Sequence, residues 1–252
     1  MTVRTAADRL LAVLDAFDHR HPTLSLTEIA HRADLALTTA HRLVATLTAW
    51  GALERDDSGG YHVGLRLYEL AALAPRGIGL RQAAMPFLED LYEATHENVH
   101  LAVRDGLEVV YIERLSGRSA VGVRSQVGAR WPLHATGVGL ALLAHGSPAL
   151  QEQVCGQTLT AFTPFTVTDP ERLRRMLADV RRTGCAVSDR QITDDALSVA
   201  APVRGPRGDV MAAVSVVVPV LGAQTQALVP AVRVAARGIS RTLGWRPASA
   251  SG

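Results

Sequence analysis

Lysine is absent from this sequence of 252 residues, and all 26 basic side chains are arginine. Aromatic residues make up only 4%, so the core must be built from leucine, valine and alanine. Cysteine occurs only at Cys155 and Cys185, and neither has another cysteine or a histidine at metal-ligand spacing. We therefore expect two buried thiols that act as small apolar residues, without a disulfide framework or a metal site.

Long apolar runs are also missing. No run reaches the roughly 18 residues that a membrane-spanning helix needs. Asp15 and Asp18 interrupt the leucine-rich segment behind the N-terminus, where a signal peptide would have its apolar core. We expect a cytoplasmic protein without a membrane partner. Hydrophobic residues make up 48%, which is enough for one large domain or two smaller ones.

Residues 26–63 predict two helices joined by a tight turn and followed by a hairpin. Ser25 and Glu28 have the spacing of a capping box for the first helix. Asp34 stands at the turn, where the backbone tends towards the left-handed region. Thr38 is the expected N-cap of the second helix. One face of that helix is apolar at helical spacing: Ala40, Leu43, Val44 and Leu47.

The hairpin is predicted from two short runs, 53–55 and 61–63, around the turn-rich sequence Asp-Asp-Ser-Gly-Gly. Helix, turn, helix and hairpin in this order are typical of a winged helix, whose second helix fits the major groove of DNA. The polar face of that helix presents Thr39, His41 and Arg42, which can hydrogen-bond to bases or phosphates. Such units also occur as protein-interaction modules, so the pattern alone leaves two interpretations.

Charge argues against strong non-specific DNA binding by this N-terminal segment. Residues 1–75 contain seven arginines and nine acidic residues, a formal charge of −2, whereas the whole chain carries +2. Non-specific affinity for DNA depends on the neutralisation of phosphates. We therefore expect a DNA-binding head whose specificity depends on a dimer that doubles its contacts.

The rest of the chain predicts a linker helix and an α+β domain. One proline and two glycines within 75–79 mark a boundary, and an amphipathic helix is expected over 80–97. Strands and helices from 98 to 246, including a further strand expected over 121–124, predict one antiparallel sheet with helices packed on it. The predicted divisions are a winged helix-turn-helix head (1–75), a linker (76–97), this domain (98–246) and a tail (247–252).

Enzyme signatures are missing from the chain. No serine lies in a G-x-S-x-G elbow, and no phosphate-binding loop is present. The sequence Gly137-Val138-Gly139 is too short for a dinucleotide-binding glycine motif. We expect neither catalysis nor a cofactor.

Four segments together resemble the IclR-type transcriptional regulators, and they occur in the family's order. They are VRTAADRLLAVLDAF, the stretch from SLTEIAHRADL to LRLYELA, WPLHATGVGLALLAH, and GCAVSDRQITDDALSVAAPVRGPRGDVMAAVSVVVP. The resemblance implies a winged helix-turn-helix head, a linker helix and a GAF-like domain that binds a small organic effector and supplies subunit contacts. It also implies a homodimer or homotetramer that binds operator DNA.

The resemblance further implies two sets of site residues. The DNA contacts are Thr38, Thr39, His41 and Arg42 on the recognition helix, and Arg55 and Tyr61 on the wing. The effector contacts are Asp189, Ser198 and Ser215, with His134, Thr136 and Gly137 in the loop beside them. The residues alone leave a structural role open for His134, and pairing with backbone amides open for Asp189 and Ser198.

Departures from the family pattern bear on the effector. Leu140 and Val217 stand where members often have polar side chains, and Trp131, Val214 and Val216 add apolar surface. These residues favour a carboxylate with an aromatic or acyl body over a small oxidised acid such as glyoxylate or pyruvate. The alternative function is a small-molecule-binding adaptor whose winged helix contacts protein.

Overall fold

A computed structural model of the chain describes residues 4–117, 121–122 and 125–246. The chain forms two compact units, Met1–Ile78 and Gly79–Gly252. The strand expected over 121–124 lies partly outside the described residues, and the tail over 247–252 lies wholly outside them. Within the described part, no helix is long and apolar enough to cross a membrane.

The first unit is a winged helix. Its helices are α1 (Ala6–Leu14), α2 (Leu26–Arg32), α3 (Leu37–Trp50) and α4 (Leu65–Ala71), and its strands are β1 (Thr23–Leu24), β2 (Leu53–Arg55) and β3 (Tyr61–Val63). The strands form an antiparallel sheet in the order β1-β3-β2. The sequence pattern does not predict β1, because two residues are too few to show an alternation.

Local signals position α2 and α3 as the sequence predicts. The Ser25 side chain accepts a hydrogen bond from the Glu28 N–H at 3.3 Å, and the Glu28 carboxylate accepts one from the Ser25 N–H at 2.8 Å. This reciprocal pair is the predicted capping box. Asp34 has φ 55°, so the turn before α3 is left-handed as expected. The predicted apolar stripe of α3 is buried in the core of the unit.

The prediction that Thr38 caps α3 is wrong. The N-cap is Ala36, whose extended backbone (φ −62°, ψ 141°) follows the turn directly, and the helix begins at Leu37 without a side-chain cap. Since the chain is already free to turn into a helix after Ala36, Thr38 lies within the first helical turn. Its side chain is exposed to solvent rather than used as a cap.

The second unit is built on one antiparallel sheet of six strands in the order β6-β5-β4-β9-β8-β7. The strands are β4 (Asn98–Asp105), β5 (Glu108–Leu115), β6 (Arg130–Pro132), β7 (Ala186–Asp189), β8 (Ala196–Arg204) and β9 (Val210–Pro219). The helices are α5 (Leu80–Thr95), α6 (Gly137–Ala144), α7 (Pro148–Cys155), α8 (Pro170–Thr183) and α9 (Thr225–Thr242), and a π-helical turn, Pro75–Gly79, precedes α5. This architecture confirms the predicted α+β fold with an antiparallel sheet.

Helices cover both faces of the six-stranded sheet. On one face, α5 and α9 bury Val99, Leu101, Val214 and Val216 of the central strands. On the other face, α6, α7 and α8 pack over Ala102, Tyr111, Ala200 and Ala213. The alternation of β9 therefore places Val214 and Val216 in the core beneath α5 and α9.

The helix predicted as a separate linker packs inside the second unit. Leu80, Ala84, Leu88 and Leu91 of α5 are buried against α9 and the sheet. The apolar stripe of α5 thus finds its partner in the same unit, and the boundary between the units falls before Gly79. Cys155 and Cys185 are both buried free thiols, as expected.

Candidate DNA-binding and effector sites

The recognition helix α3 contains no acidic residue, and its polar face is open to solvent. Thr38, His41, Arg42 and Thr46 are exposed, and Thr39 is half buried. The Thr46 hydroxyl donates to the Arg42 carbonyl at 3.0 Å. In the described part of the chain, no hydrogen bond or ion pair holds the Arg42 guanidinium. Its five donors are therefore available for a guanine edge or a phosphate.

The N-terminus of α3 adds a second feature that suits DNA. With Ala36 as N-cap, no side chain occupies the first-turn amides. Such amides carry a partial positive charge and bind phosphate groups. The predicted contacts Thr38 and Thr39 lie in this first turn, so the start of α3 and its polar side chains form one surface.

The wing brings its two predicted contacts together. Arg55 and Tyr61 are directly opposite in the β2–β3 pair, and the Arg55 guanidinium lies 5.6 Å from the centre of the Tyr61 ring. The Asp56 carboxylate closes the turn by accepting hydrogen bonds from Ser58 and from the Gly60 N–H. These bonds, that from the Ser58 hydroxyl above all, hold the pKa of Asp56 below its usual range. Asp56 is therefore used by the turn, and the Arg55 charge stays free for a phosphate.

The formal charge of −2 does not describe the surface of α3 itself. Three arginines of this unit are paired with carboxylates: Arg4 with Asp34, Arg32 with Asp18 and Arg66 with Glu69. Arg42 and Arg55 have no such partner within the described residues. Because α3 itself contains Arg42 and no acidic residue, the recognition helix keeps a local positive charge.

A cavity in the second unit lies between the sheet and the start of α6. It encloses about 510 Å³ of empty space, part of it open to solvent. Its polar wall is formed by His100, Tyr111, Ser125, Thr136, Ser188, Gln191, Thr193 and Ser198, and its apolar wall by Trp131, Ala135, Ile192, Ala196 and Val217, together with Gly137. No carboxylate and no arginine is among these described lining residues. The cavity is therefore neutral, mostly apolar and able to donate hydrogen bonds.

Five of the eight effector contacts predicted from the sequence line this cavity. They are Trp131, Thr136, Gly137, Ser198 and Val217. Ser215 does not line it: it is buried within the sheet, opposite His100 on β4 and Ala200 on β8.

Asp189 and His134 are also placed outside the cavity wall. The alternation of β7 turns Asp189 to solvent, where its carboxylate pairs with Arg190 at 2.9 Å. His134 is buried, its Nε2 lies 3.0 Å from the Thr160 carbonyl, and its ring stacks on Phe162. His134 thus contacts the segment that contains Thr160 and Phe162, which corresponds to the structural role left open above.

Several polar residues of the cavity were not predicted from the sequence. His100 and Tyr111 reach it from β4 and β5, and Ser188, the neighbour of Asp189, takes the inward position on β7. A histidine in an otherwise apolar strand was the available signal for His100. The inward side of β7 depends on its pairing with β8, which the sequence does not show.

The start of α6 is fixed tightly at the cavity wall. The Thr136 hydroxyl caps the helix by accepting from the Gly139 N–H at 3.0 Å. A Cβ atom at Gly137 would lie only 2.5 Å from the Ser198 Oγ, so glycine is required for the close approach of α6 to β8. First-turn amides of α6 and the Ser198 hydroxyl therefore meet at one end of the cavity, an arrangement that suits a carboxylate.

A second hydrogen-bond network supports the same wall. The Ser188 hydroxyl donates to the Ala135 carbonyl at 3.1 Å, and the Gln191 side-chain amide donates to the Ser188 Oγ at 3.3 Å. The Gln191 side-chain oxygen Oε1 accepts from the Val167 N–H at 3.0 Å. These contacts fix the loop after β7 against the loop before α6, so both sides of the cavity entrance are ordered.

His100 is a neutral imidazole within the cavity wall. Burial lowers its pKa to about 3, and the nearby positive charge of Arg114 contributes to the shift. The imidazole Nε2 lies 2.9 Å from the Ser125 Oγ, and the ring packs edge-to-face on Tyr111 at 5.1 Å between centroids. A neutral ring keeps the cavity free of fixed charge.

We predict that His100→Gln reduces the pH dependence of stability. An unfolded histidine titrates near pH ~6.5, whereas His100 in the fold titrates near 3. The stability that neutral His100 contributes is fully present above the pKa of the unfolded state. It is lost as pH falls towards 3, because in this range only the unfolded chain takes up the proton. Between about pH 6.5 and pH 4, removal of this imidazole reduces the slope of the unfolding free energy against pH by up to ~1.4 kcal/mol per pH unit.

Urea unfolding followed by circular dichroism at several pH values measures that slope. Burial also lowers the pKa of His134 and His145, so the variant retains part of the pH dependence. Identical slopes for His100→Gln and the original chain would contradict the assignment of a neutral buried imidazole.

A winged helix with an acid-free recognition helix, joined in one chain to a sheet domain with a neutral cavity, defines a DNA-binding transcriptional regulator. Residues 6–57 match the "IclR helix-turn-helix domain", and residues 73–241 match "Bacterial transcriptional regulator IclR C-terminal". The chain belongs to the IclR family, whose named members are transcriptional regulators and not enzymes.

Relatives and solved structures agree with this assignment. The HTH-type transcriptional regulator BhcR of Paracoccus denitrificans is 35% identical over 240 residues, which cover 93% of this chain and 86% of BhcR. XynR of Escherichia coli is 33% identical over 217 residues, 85% of this chain and 86% of XynR. An IclR homologue of Microbacterium hydrocarbonoxydans, solved as a complex with 4-hydroxybenzoate, superposes with a TM-score of 0.91 at 38% identity, over 95% of this chain and 99% of that one.

Proposed function

We propose that the protein regulates a catabolic operon in response to a carboxylate with an aromatic or acyl body. The observation that carries the proposal is the neutral cavity, with the first turn of α6 and the Ser198 hydroxyl at one end and Trp131 in the apolar wall. The structural relative that contains 4-hydroxybenzoate supports the aromatic class. Binding of the effector changes the affinity of the head for operator DNA.

The polar end of the cavity recognises the carboxylate. The amides of the first turn of α6 donate to it, since an anion is favoured at a helix N-terminus. Ser198, directly beside Gly137, supplies a hydroxyl donor. Because no charged side chain lines the cavity, recognition depends on neutral donors, which is sufficient for a singly charged acid.

The apolar wall selects the body of the effector. Trp131 packs edge-to-face on Phe162 at 5.3 Å between ring centroids, so its position is fixed. Val217 and Ile192 complete the wall. A small oxidised acid leaves this surface unfilled, whereas an aromatic ring or a short acyl chain covers it and gains about 25 cal/mol for each Å² of apolar surface removed from water.

The same proposal assigns operator recognition to α3 and the wing. Arg42, His41 and Thr38 are the exposed reading residues, and Arg55 and Tyr61 contact the backbone or minor groove. A homodimer or homotetramer places two heads on paired half-sites. The apolar surface of α4 supports self-association: the side chains of Leu65 and Tyr68 are 64% and 66% exposed.

Strand β5 connects the cavity wall to helix α5 within the second unit. Where β4 and β5 pair, the register shifts by one extra residue on β5, Ile112. On one side of this shift Tyr111 lines the cavity, and on the other Glu113 forms an ion pair with Arg81 of α5. A change in the cavity wall at Tyr111 is thus transmitted to α5, the helix that directly follows the head in sequence.

The proposal is tested by DNA binding with and without effector. The intact protein is titrated into labelled DNA from its own promoter region and into a shuffled control at about 0.15 M salt. We expect preference for the promoter DNA, and a change in affinity on addition of 4-hydroxybenzoate or benzoate but not of pyruvate. Absence of sequence preference overturns the regulator, and a response to pyruvate alone overturns the proposed effector class.

A further inference from the structure

Arginines from three elements meet in a second cavity of the sheet unit. Its walls are formed by the end of α8, β8 and α9, and it encloses about 590 Å³ of space, partly open to solvent. We call it the basic cavity. Its charged and titratable lining residues are Arg181, Arg204, Arg233, Arg237 and His145. The cavity at the start of α6, proposed above for the effector and called the effector cavity from here on, shares none of these residues, so the two cavities are separate.

The positive charge of the basic cavity is not neutralised by the protein. No aspartate or glutamate is among its described lining residues. Arg181 donates to the Ala144 carbonyl at 3.2 Å, and Arg204 donates to the Gly208 carbonyl at 2.9 Å. Within the described chain none of the four arginines forms an ion pair. An adjoining groove that shares Arg181 and Arg204 contains one acid, the exposed Asp209.

Only one of these arginines has a position that stabilises its helix electrostatically. Arg181 lies in the last turn of α8, where a cation is favoured. Arg233 and Arg237 lie in the body of α9, four residues apart and on one face, where like charges destabilise a helix. Arg204 projects from β8 towards the same space. Arg233 and Arg237 therefore repel each other weakly, and a bound anion would remove that repulsion.

The pKa of His145 reflects the positive potential that the arginines create in this cavity. Burial lowers its pKa, and the positive charges of Arg204 and Arg181 lower it further. The imidazole Nδ1 lies 2.9 Å from the Ala141 carbonyl, to which it donates its proton. The indole of Trp245 completes the wall with an apolar surface.

We propose that the basic cavity binds a compact polyanion, a phosphorylated or polycarboxylate metabolite. Guanidinium groups bind phosphate and carboxylate oxygens with paired hydrogen bonds, and arginines on α8, β8 and α9 surround such a ligand from several directions. The opening has the size of a small molecule. A bound polyanion ties α9 to α8, and α9 is the helix that packs on α5 in the core.

Calorimetric titration of the intact protein with inorganic pyrophosphate and with citrate tests this site. Sodium chloride at matched ionic strength is the control for screening. The test variant is Arg233→Gln/Arg237→Gln. The control is Arg241→Gln, which replaces one exposed arginine on the same helix that does not line the cavity. We expect binding by the unmodified protein and by Arg241→Gln, and a loss of about tenfold or more in the double variant.

Thermal unfolding without ligand shows whether the double variant folds. At low salt it should unfold at a higher temperature than the unmodified protein, because the repulsion between guanidinium groups is relieved. Arg181→Gln on α8 is a second, independent variant that should also weaken binding. A response to pyrophosphate alone supports a phosphorylated ligand, and a response to citrate alone supports a polycarboxylate. The proposal is overturned if neither anion binds better than chloride, or if the variants bind as the unmodified protein does.

Discussion

Arg42→Ala is expected to abolish specific binding to operator DNA while both units stay folded. The Arg42 side chain is exposed on an acid-free helix and has no partner in the described part of the chain, so its loss removes a contact to DNA and no internal contact. A bidentate arginine–guanine pair contributes about 1–3 kcal/mol. A dimer loses it at both half-sites, which weakens binding by about 30-fold to 20 000-fold.

Fluorescence anisotropy with operator and shuffled DNA measures this loss, and Arg66→Ala is the matched control. Arg66 packs over Trp50 at the other end of α3 and pairs with Glu69, so its removal changes the formal charge equally but not the reading face. Equal losses in both variants would reduce the role of Arg42 to charge alone. Unchanged binding by Arg42→Ala would favour the protein-binding adaptor over the DNA-binding regulator.

Gly137→Ala is expected to remove the response to effector. The added Cβ would lie 2.5 Å from the Oγ and 3.1 Å from the Cβ of Ser198, so α6 must move away from β8. That movement separates the first-turn amides of α6 from the Ser198 hydroxyl, the two donors proposed for the carboxylate. Loss of hydrogen bonds to a charged group, about 1.5–3 kcal/mol, weakens binding by roughly 10-fold to 100-fold.

The same substitution should reduce stability, although alanine is the better helix former. Overpacking costs about 1–3 kcal/mol, which outweighs a gain in helix propensity of at most ~1 kcal/mol. Calorimetry with 4-hydroxybenzoate and urea unfolding measure the two effects. Gly79→Ala is the control, because a Cβ there meets nothing within 4 Å.

A double variant separates the clash from the lost hydrogen bond. Gly137→Ala/Ser198→Gly removes the atoms that collide, so it should regain stability. It should not regain full affinity, because the Ser198 hydroxyl is gone. If Gly137→Ala alone binds the effector normally, the start of α6 takes no part in effector recognition.

Helix caps and turns that are set by a few consecutive residues could be predicted from the sequence. The capping box of Ser25 and Glu28 and the left-handed turn at Asp34 are both present, because each is set by a few consecutive residues. Thr38 failed as a cap because the turn at Asp34 ends early enough for Ala36 to begin the helix. Strand β6 was not predicted, since its three residues show no alternation.

The effector cavity was predicted only in part, because its wall depends on strand register. Ser188 and Asp189 are adjacent in the chain, and the pairing of β7 with β8 decides which one faces inward. Tyr111 and Glu113 point to opposite faces although they are two residues apart, because the register shifts between them. Neither pairing is visible in a single sequence.

The separation of the two recognition surfaces has an evolutionary consequence. Every residue that lines the effector cavity belongs to Gly79–Gly252, and every predicted DNA contact belongs to Met1–Ile78. If the proposed sites are correct, substitutions at Trp131 or Val217 change the effector preference while the preferred operator stays the same. Substitutions along α3 change the preferred operator while the effector stays the same.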